Sequence, residues 1–98
     1  MTLIHQKINN LKEIFERNDV VYAGLFGSYA KDSAREDSDI DILIDYGSNE
    51  KTLLEFIDLK LDLEEALNKK VDLVTKKALN SHLKKEILES TINIYERP

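Results

Sequence analysis

The sequence predicts an α/β (α+β) domain: a sheet of about four strands with helices packed on it. Three observations carry this. β-branched and aromatic runs alternate with amphipathic stretches in the order α-β-α-β-α-β-α-β. Three glycines and one proline leave little room for long loops. The length, 98 residues, suits one core, so residues 1–98 are expected to form a single domain.

The elements follow in order. Leu3, Ile4, Ile8, Leu11, Ile14 and Phe15 recur at helical spacing, with Thr2 as a cap and Asn18-Asp19 as the stop. "VVYAGLF", Val20 to Phe26, reads as a buried strand. Gly27-Ser28 breaks it, and Ser28 to Ala34 is expected to form about two helical turns. Arg35 to Ser38 is a polar loop. Asp39 to Tyr46 alternates as a second strand, and Gly47-Ser48-Asn49 turns the chain. Lys51 to Lys70 is a long amphipathic helix, with Leu53, Phe56, Ile57, Leu63 and Leu67 on its apolar stripe. Val71 to Thr75 is a third strand. Asn80 to Thr91 is a helix with Leu83, Ile87 and Leu88 inward. Ile92 to Glu96 is a last, edge strand, closed by Pro98.

Composition excludes several classes. There are no cysteines, hence no disulfide scaffold, thiolate zinc site or Cys nucleophile. That composition suits a reducing compartment, and a cytoplasmic protein is expected. The N-terminal stretch is polar every few residues, unlike a signal peptide or membrane span. The net charge is −5, so direct nucleic-acid binding is not expected. An acidic chain can still take a nucleotide through metal ions, or dock on a basic protein.

The informative stretch is "FGSYAKDSAREDSDIDILIDY", Phe26 to Tyr46. In a strand, residues i and i+2 share a face. Ile40, Ile42 and Ile44 form the core side, leaving Asp39, Asp41, Leu43 and Asp45 on the other. Asp is depleted in strands, and two carboxylates at i and i+2 repel by about 1 kcal/mol at 4 Å in water, more where water is excluded. A divalent cation reverses that sign, and carboxylate oxygens suit Mg²⁺. Asp72 repeats the idea at the start of the third strand. If that strand pairs beside Asp39–Tyr46, three carboxylates can serve two metal ions in displacement at phosphorus, Asp72 nearest the nucleophile. Gly27-Ser28, between a strand and an expected helix, suits the terminal phosphates of a nucleotide. An ordinary Ser N-cap would look the same.

Together Gly27-Ser28, Asp39-x-Asp41 and Asp72 resemble the nucleotidyltransferase fold of the DNA polymerase β superfamily. "LFGSYAKDSAREDSDIDILI" and "VDLVTKKALNSHLKKEILESTINIYE" are similar to its minimal branch, the small nucleotidyltransferase antitoxins paired with HEPN-type toxins. The resemblance implies a small mixed sheet with flanking helices. It implies Gly27, Ser28 and Lys31 as nucleotide-binding residues. It implies Asp39, Asp41 and Asp72 as the catalytic and metal-binding triad, with two Mg²⁺ ions or Mn²⁺ in their place. The implied reaction moves AMP from ATP to a tyrosine of a cognate HEPN ribonuclease toxin and silences it. Lys31-Asp32 stand where the family often has Arg-Gly; lysine keeps the charge without the guanidinium fork.

Other residues carry less. His5 and His82 sit on separate helices with no second ligand at metal spacing. Lys76 and Lys77 read as a solvated helix start, Asp45 as a satellite of the acidic face. Tyr29 and Tyr95 have no feature marking them as modification sites. Two rival functions remain at this level. One is a binding module that neutralises a partner by complex formation. The other is a transferase acting on an RNA end or a small molecule. A homodimer is compatible with the long amphipathic helix, and a membrane partner is not expected.

Overall fold

The computed structural model describes residues 10–31, 34, 35, 37–79 and 81–97, with backbone alone for 81–84. The expected cap at Thr2, the early stripe Leu3, Ile4 and Ile8, His5, Asp32, Asn80 and Pro98 lie outside the described residues. So do the side chains of His82 and Leu83.

The described elements are α1 (Lys12–Arg17), β1 (Tyr22–Phe26), β2 (Ile40–Asp45), α2 (Leu53–Leu67), β3 (Val71–Thr75), a 3-10 turn (Lys76–Ala78), α3 (Ser81–Ser90) and β4 (Ile92–Glu96). The strands form one sheet in the order β3-β2-β1-β4. β1 runs antiparallel to β2 and β4, whereas β2 and β3 are parallel. A parallel pair needs a crossover, and α2 supplies it. The sheet is therefore mixed, with β4 on an edge as expected.

Helix α1 ends in a Schellman motif. Val20 N–H reaches Phe15 C=O (3.0 Å), and Asp19 N–H reaches Glu16 C=O (3.2 Å). Asp19 takes the left-handed conformation there (φ 61°), a place glycine usually fills. Its carboxylate meets Lys51 Nζ at 2.7 Å, which ties the end of α1 to the approach of α2. Helix α2 starts with a reciprocal capping box: Thr52 Oγ1 accepts from Glu55 N–H (3.1 Å), and Glu55 Oε1 accepts from Thr52 N–H (3.1 Å).

The core lies between one face of the sheet and the helices. Ile40, Ile42 and Ile44 meet Leu11, Phe15, Leu59, Leu63 and Leu67, and Tyr95 stacks on Phe15 with ring centroids 5.5 Å apart. Tyr29 and Tyr95 are each only 7% exposed, so both are core residues.

Two expectations are corrected. Of the two helical turns expected over Ser28–Ala34, the described residues show a single hydrogen-bonded turn and no helix. Gly27–Lys31 form a turn that Lys31 N–H closes on Gly27 C=O (3.1 Å), and Ala34 is in no helix. The stripe of α2 is corrected in part: Leu63 and Leu67 are buried and Phe56 packs against the core as expected, but two of its members are not inward. Leu59, Leu63 and Leu67 are buried, whereas Leu53 and Ile57 are 72% and 39% exposed. Apolar residues lie on both faces of α2, and periodicity alone cannot say which one packs. Among the described residues, no helix is long and apolar enough to cross a membrane.

Candidate active site

Strand pairing sets one row of residues across the sheet. Phe26, the last residue of β1, stands opposite Asp41, and Asp41 stands opposite Asp72 on the parallel β3. Neighbouring strands lie about 4.8 Å apart, so the two carboxylates converge without any loop to carry them. Asp39 lies two residues before Asp41, just outside the strand, and is exposed. Asp72 is exposed on the outer strand, reachable from solvent along the sheet edge.

The turn after β1 crosses directly over this row. Gly27 has φ +72°, and a Cβ at its position would overlap Asp41 Oδ2 and touch its Cγ (3.0 Å). The Asp41 carboxylate therefore occupies the space that a side chain at residue 27 would fill. Sequence reading made Gly27 a point of close approach for a ligand. The structure shows that its first close neighbour is the central carboxylate. The β1–β2 register carries that information, and no local motif does. Ser28 is half-buried in the same turn, and Lys31 ends it, exposed.

The electrostatics mark Asp41. Its carboxyl is raised from 3.8 to about 6. Burial is the first cause, followed by the charge of Asp72, a hydrogen bond shared with Asp72, and the charge of Asp39. Every one of these acts upward, and no cation offsets them. An acidic pair held together in this way is destabilised when both members ionise, unless a cation is added.

The donor set fits a hard divalent ion, being all carboxylate oxygen. The described residues hold no ready-made group of three acidic or histidine side chains drawn together as ligands. That is compatible with Mg²⁺, which keeps waters and takes phosphate oxygens rather than a full protein cage. Asp41 and Asp72 would hold such an ion between them, with Asp39 two residues from Asp41.

Asp45 is not drawn into this group. It lies four residues on, about 13 Å along the strand. Its Oδ1 accepts from Gly47 N–H (2.9 Å), so it builds the turn that leaves β2. A cleft of about 630 Å³ opens at that far end, lined by Tyr46, Leu53, Phe56, Leu73, Val74 and Ala78 among others. Its lining includes none of Asp39, Asp41 and Asp72. Sequence reading did not find this cleft, because the exposed face of α2 was assigned to the core.

Comparison with known proteins adds four findings. Residues 9–98 match the family described as polymerase beta, nucleotidyltransferase. The protein adenylyltransferase MntA of Thermococcus cleftensis is 43% identical over 83 residues, covering 85% of this chain and 83% of the relative. Among solved structures, one described as a minimal nucleotidyltransferase superposes with TM-score 0.83 at 33% identity, covering 93% of this chain and 92% of the other. Another is a chain from the complex of tri-AMPylated Shewanella oneidensis HEPN toxin with MNT antitoxin. It gives TM-score 0.72 at 22% identity over 93% of this chain and 71% of that one, a likeness of fold.

Proposed function

Because this chain belongs to the polymerase beta nucleotidyltransferase family, we propose that it transfers AMP from ATP to a tyrosine hydroxyl of a HEPN-type ribonuclease toxin and thereby acts as the antitoxin. The observation that carries this reading is the row Gly27, Asp41, Asp72, set by strand register, with the central carboxyl held at about 6. The adenylyltransferase relative supports a protein acceptor. The solved toxin–antitoxin complex supports a HEPN-type partner.

In this reading Asp39, Asp41 and Asp72 hold Mg²⁺, with two ions expected and Mn²⁺ as an alternative. A bound divalent ion neutralises triphosphate charge and eases ionisation of the attacking hydroxyl. The turn Gly27-Ser28 receives the terminal phosphates, with the Ser28 hydroxyl beside them and the Lys31 ammonium balancing the leaving charge. The acceptor approaches from the β3 edge, where Asp72 is exposed. Its oxygen attacks the α-phosphorus, the bond from that phosphorus to the pyrophosphate oxygen breaks, and the hydroxyl proton passes to the Asp72 carboxylate.

The exposed apolar residues of α2 favour a second reading, neutralisation by coverage alone. Growth rescue separates the two. A strain expressing a HEPN-type toxin from the same organism is complemented with the wild type or with Asp39→Ala/Asp41→Ala. The transfer reading expects rescue by the wild type alone, although both proteins form the complex. Equal rescue by both would sink it in favour of coverage.

A further inference from the structure

We propose that the groove between the first turns of α2 and the outer edge of β3, continued along the exposed stripe of α2, seats the acceptor-bearing protein through an amphipathic helix with basic flanks. This names the partner surface of the transferase reading above and rests on it. Helix α2 has two apolar faces. Leu59, Leu63 and Leu67 turn inward. Leu54, Ile57 and Leu61 are 74%, 39% and 54% exposed, and their spacing of three and four residues places them in one outward row. Leu53, 72% exposed, joins that row to the 630 Å³ cleft, whose floor includes Phe56, Leu73 and Val74. The stripe and the cleft form one continuous apolar surface, the kind into which a helix lays its own apolar face.

Charge decides the occupant. Glu50 is exposed at the rim of the cleft. Asp58 and Glu65 are exposed, each four residues after a stripe leucine and so on the same flank of it. Lys51 shares one cation between Asp19 (2.7 Å) and Glu55 (3.4 Å), and Arg17 is taken by Asp62 (3.5 Å). Lys60 and Lys77 soften the rim without reversing it. A second copy of this chain would bring another net −5 to the same surface. A basic helix is attracted instead, and the flanks guide its approach.

Position links the groove to the chemistry. Thr75 lines the cleft, and Asp72 precedes it by three residues on the same edge strand, about 10 Å away and on the opposite face, so the path between them runs round the open edge of β3. A partner seated in the groove holds its neighbouring segments within reach of Asp72.

The test uses a HEPN-type protein from the same organism and two variants at exposed positions. Leu54→Asp/Ile57→Asp should keep the fold by circular dichroism and keep ATP–Mg²⁺ affinity, yet bind the partner about 100-fold more weakly and lose AMP transfer in proportion. Asp58→Lys/Glu65→Lys should slow association and flatten its salt dependence. Transfer and binding that survive Leu54→Asp/Ile57→Asp would overturn the docking site while leaving the transferase reading in place. Binding lost in that variant, with a wild type that binds but transfers nothing, would keep the docking site and overturn the transfer. A wild type that neither binds nor modifies the HEPN-type protein would overturn both. A wild type that sediments as a dimer, made monomeric by Leu54→Asp/Ile57→Asp, would assign the surface to a second copy and overturn the proposal.

Discussion

Replacing Asp41 with asparagine tests the electrostatics of the row without changing its shape. The folded carboxyl sits at about 6 and the free one at 3.8, so ionising Asp41 opposes folding. The sign follows from the protons. Between these two values the unfolded chain has released its proton while the folded chain still holds it. The cost is therefore absent below pH 3.8, grows as pH rises, and is complete above about pH 6. The full gap is worth at most about 3 kcal/mol at 1.36 kcal/mol for each pH unit. The group is partly open to water, and screening reduces the expectation to about 1–2 kcal/mol. Asp41→Asn in excess chelator at pH 8 should therefore be more stable than the wild type, with Tm higher by roughly 4–12 °C for a domain of this size. The advantage should shrink as pH falls from 6 toward 3.8. Mg²⁺ should raise the Tm of the wild type and leave the variant little changed, and AMP transfer by the variant should be lost. Thermal melts at both pH values, with and without Mg²⁺, read all of this. A metal-free Asp41→Asn protein less stable than the wild type at pH 8 would refute the reasoning, because Asp41 would then be gaining from a neighbour rather than suffering from two.

Three further outcomes follow from the same geometry. Gly27→Ala must hold a left-handed residue, at about 1–2 kcal/mol, and push its Cβ against Asp41 Oδ2. The transfer rate should fall at least about 10-fold, for a barrier rise of about 1.4 kcal/mol or more, while far-UV circular dichroism is kept. Asp72→Asn removes the largest charge acting on Asp41. The Asp41 carboxyl should then titrate closer to 3.8, read by carbon-detected NMR of the side chain, and an unmoved value would contradict the pairing. Thr52→Ala dismantles the capping box of α2. It should cost about 1 kcal/mol, read as a Tm lower by roughly 4–8 °C, and leave ATP affinity unchanged because α2 starts at the far end of the sheet.

Much of this fold is legible in local pattern. The alternation of Ile40, Ile42 and Ile44 with polar neighbours locates β2, and Val71–Thr75 and Ile92–Glu96 are strands at the expected residues. What local pattern cannot carry is register and facing. The meeting of Gly27 with Asp41 depends on which residue of β1 stands opposite which residue of β2, a fact about two strands separated by a loop. The stripe of α2 is ambiguous for a related reason: a helix with leucines on both sides has no periodic signature for its buried face. The helix expected over Ser28–Ala34 gives way to a turn at Gly27–Lys31, because a short run after Gly-Ser carries N-cap chemistry whether or not a helix follows. Leu43 shows the opposite case. It shares a face with Asp41 and Asp45 yet is fully buried, so the acidic side of β2 is wet only toward its ends.

The most direct test of the central claim is the intact mass of a HEPN-type protein that forms a complex with this chain, taken after incubation with this protein, ATP and Mg²⁺. The account predicts a gain of one or more AMP groups on that protein, absent with Asp39→Ala/Asp41→Ala and absent in chelator. An unchanged mass with the wild type, in the presence of a stable complex and of either Mg²⁺ or Mn²⁺, would contradict it.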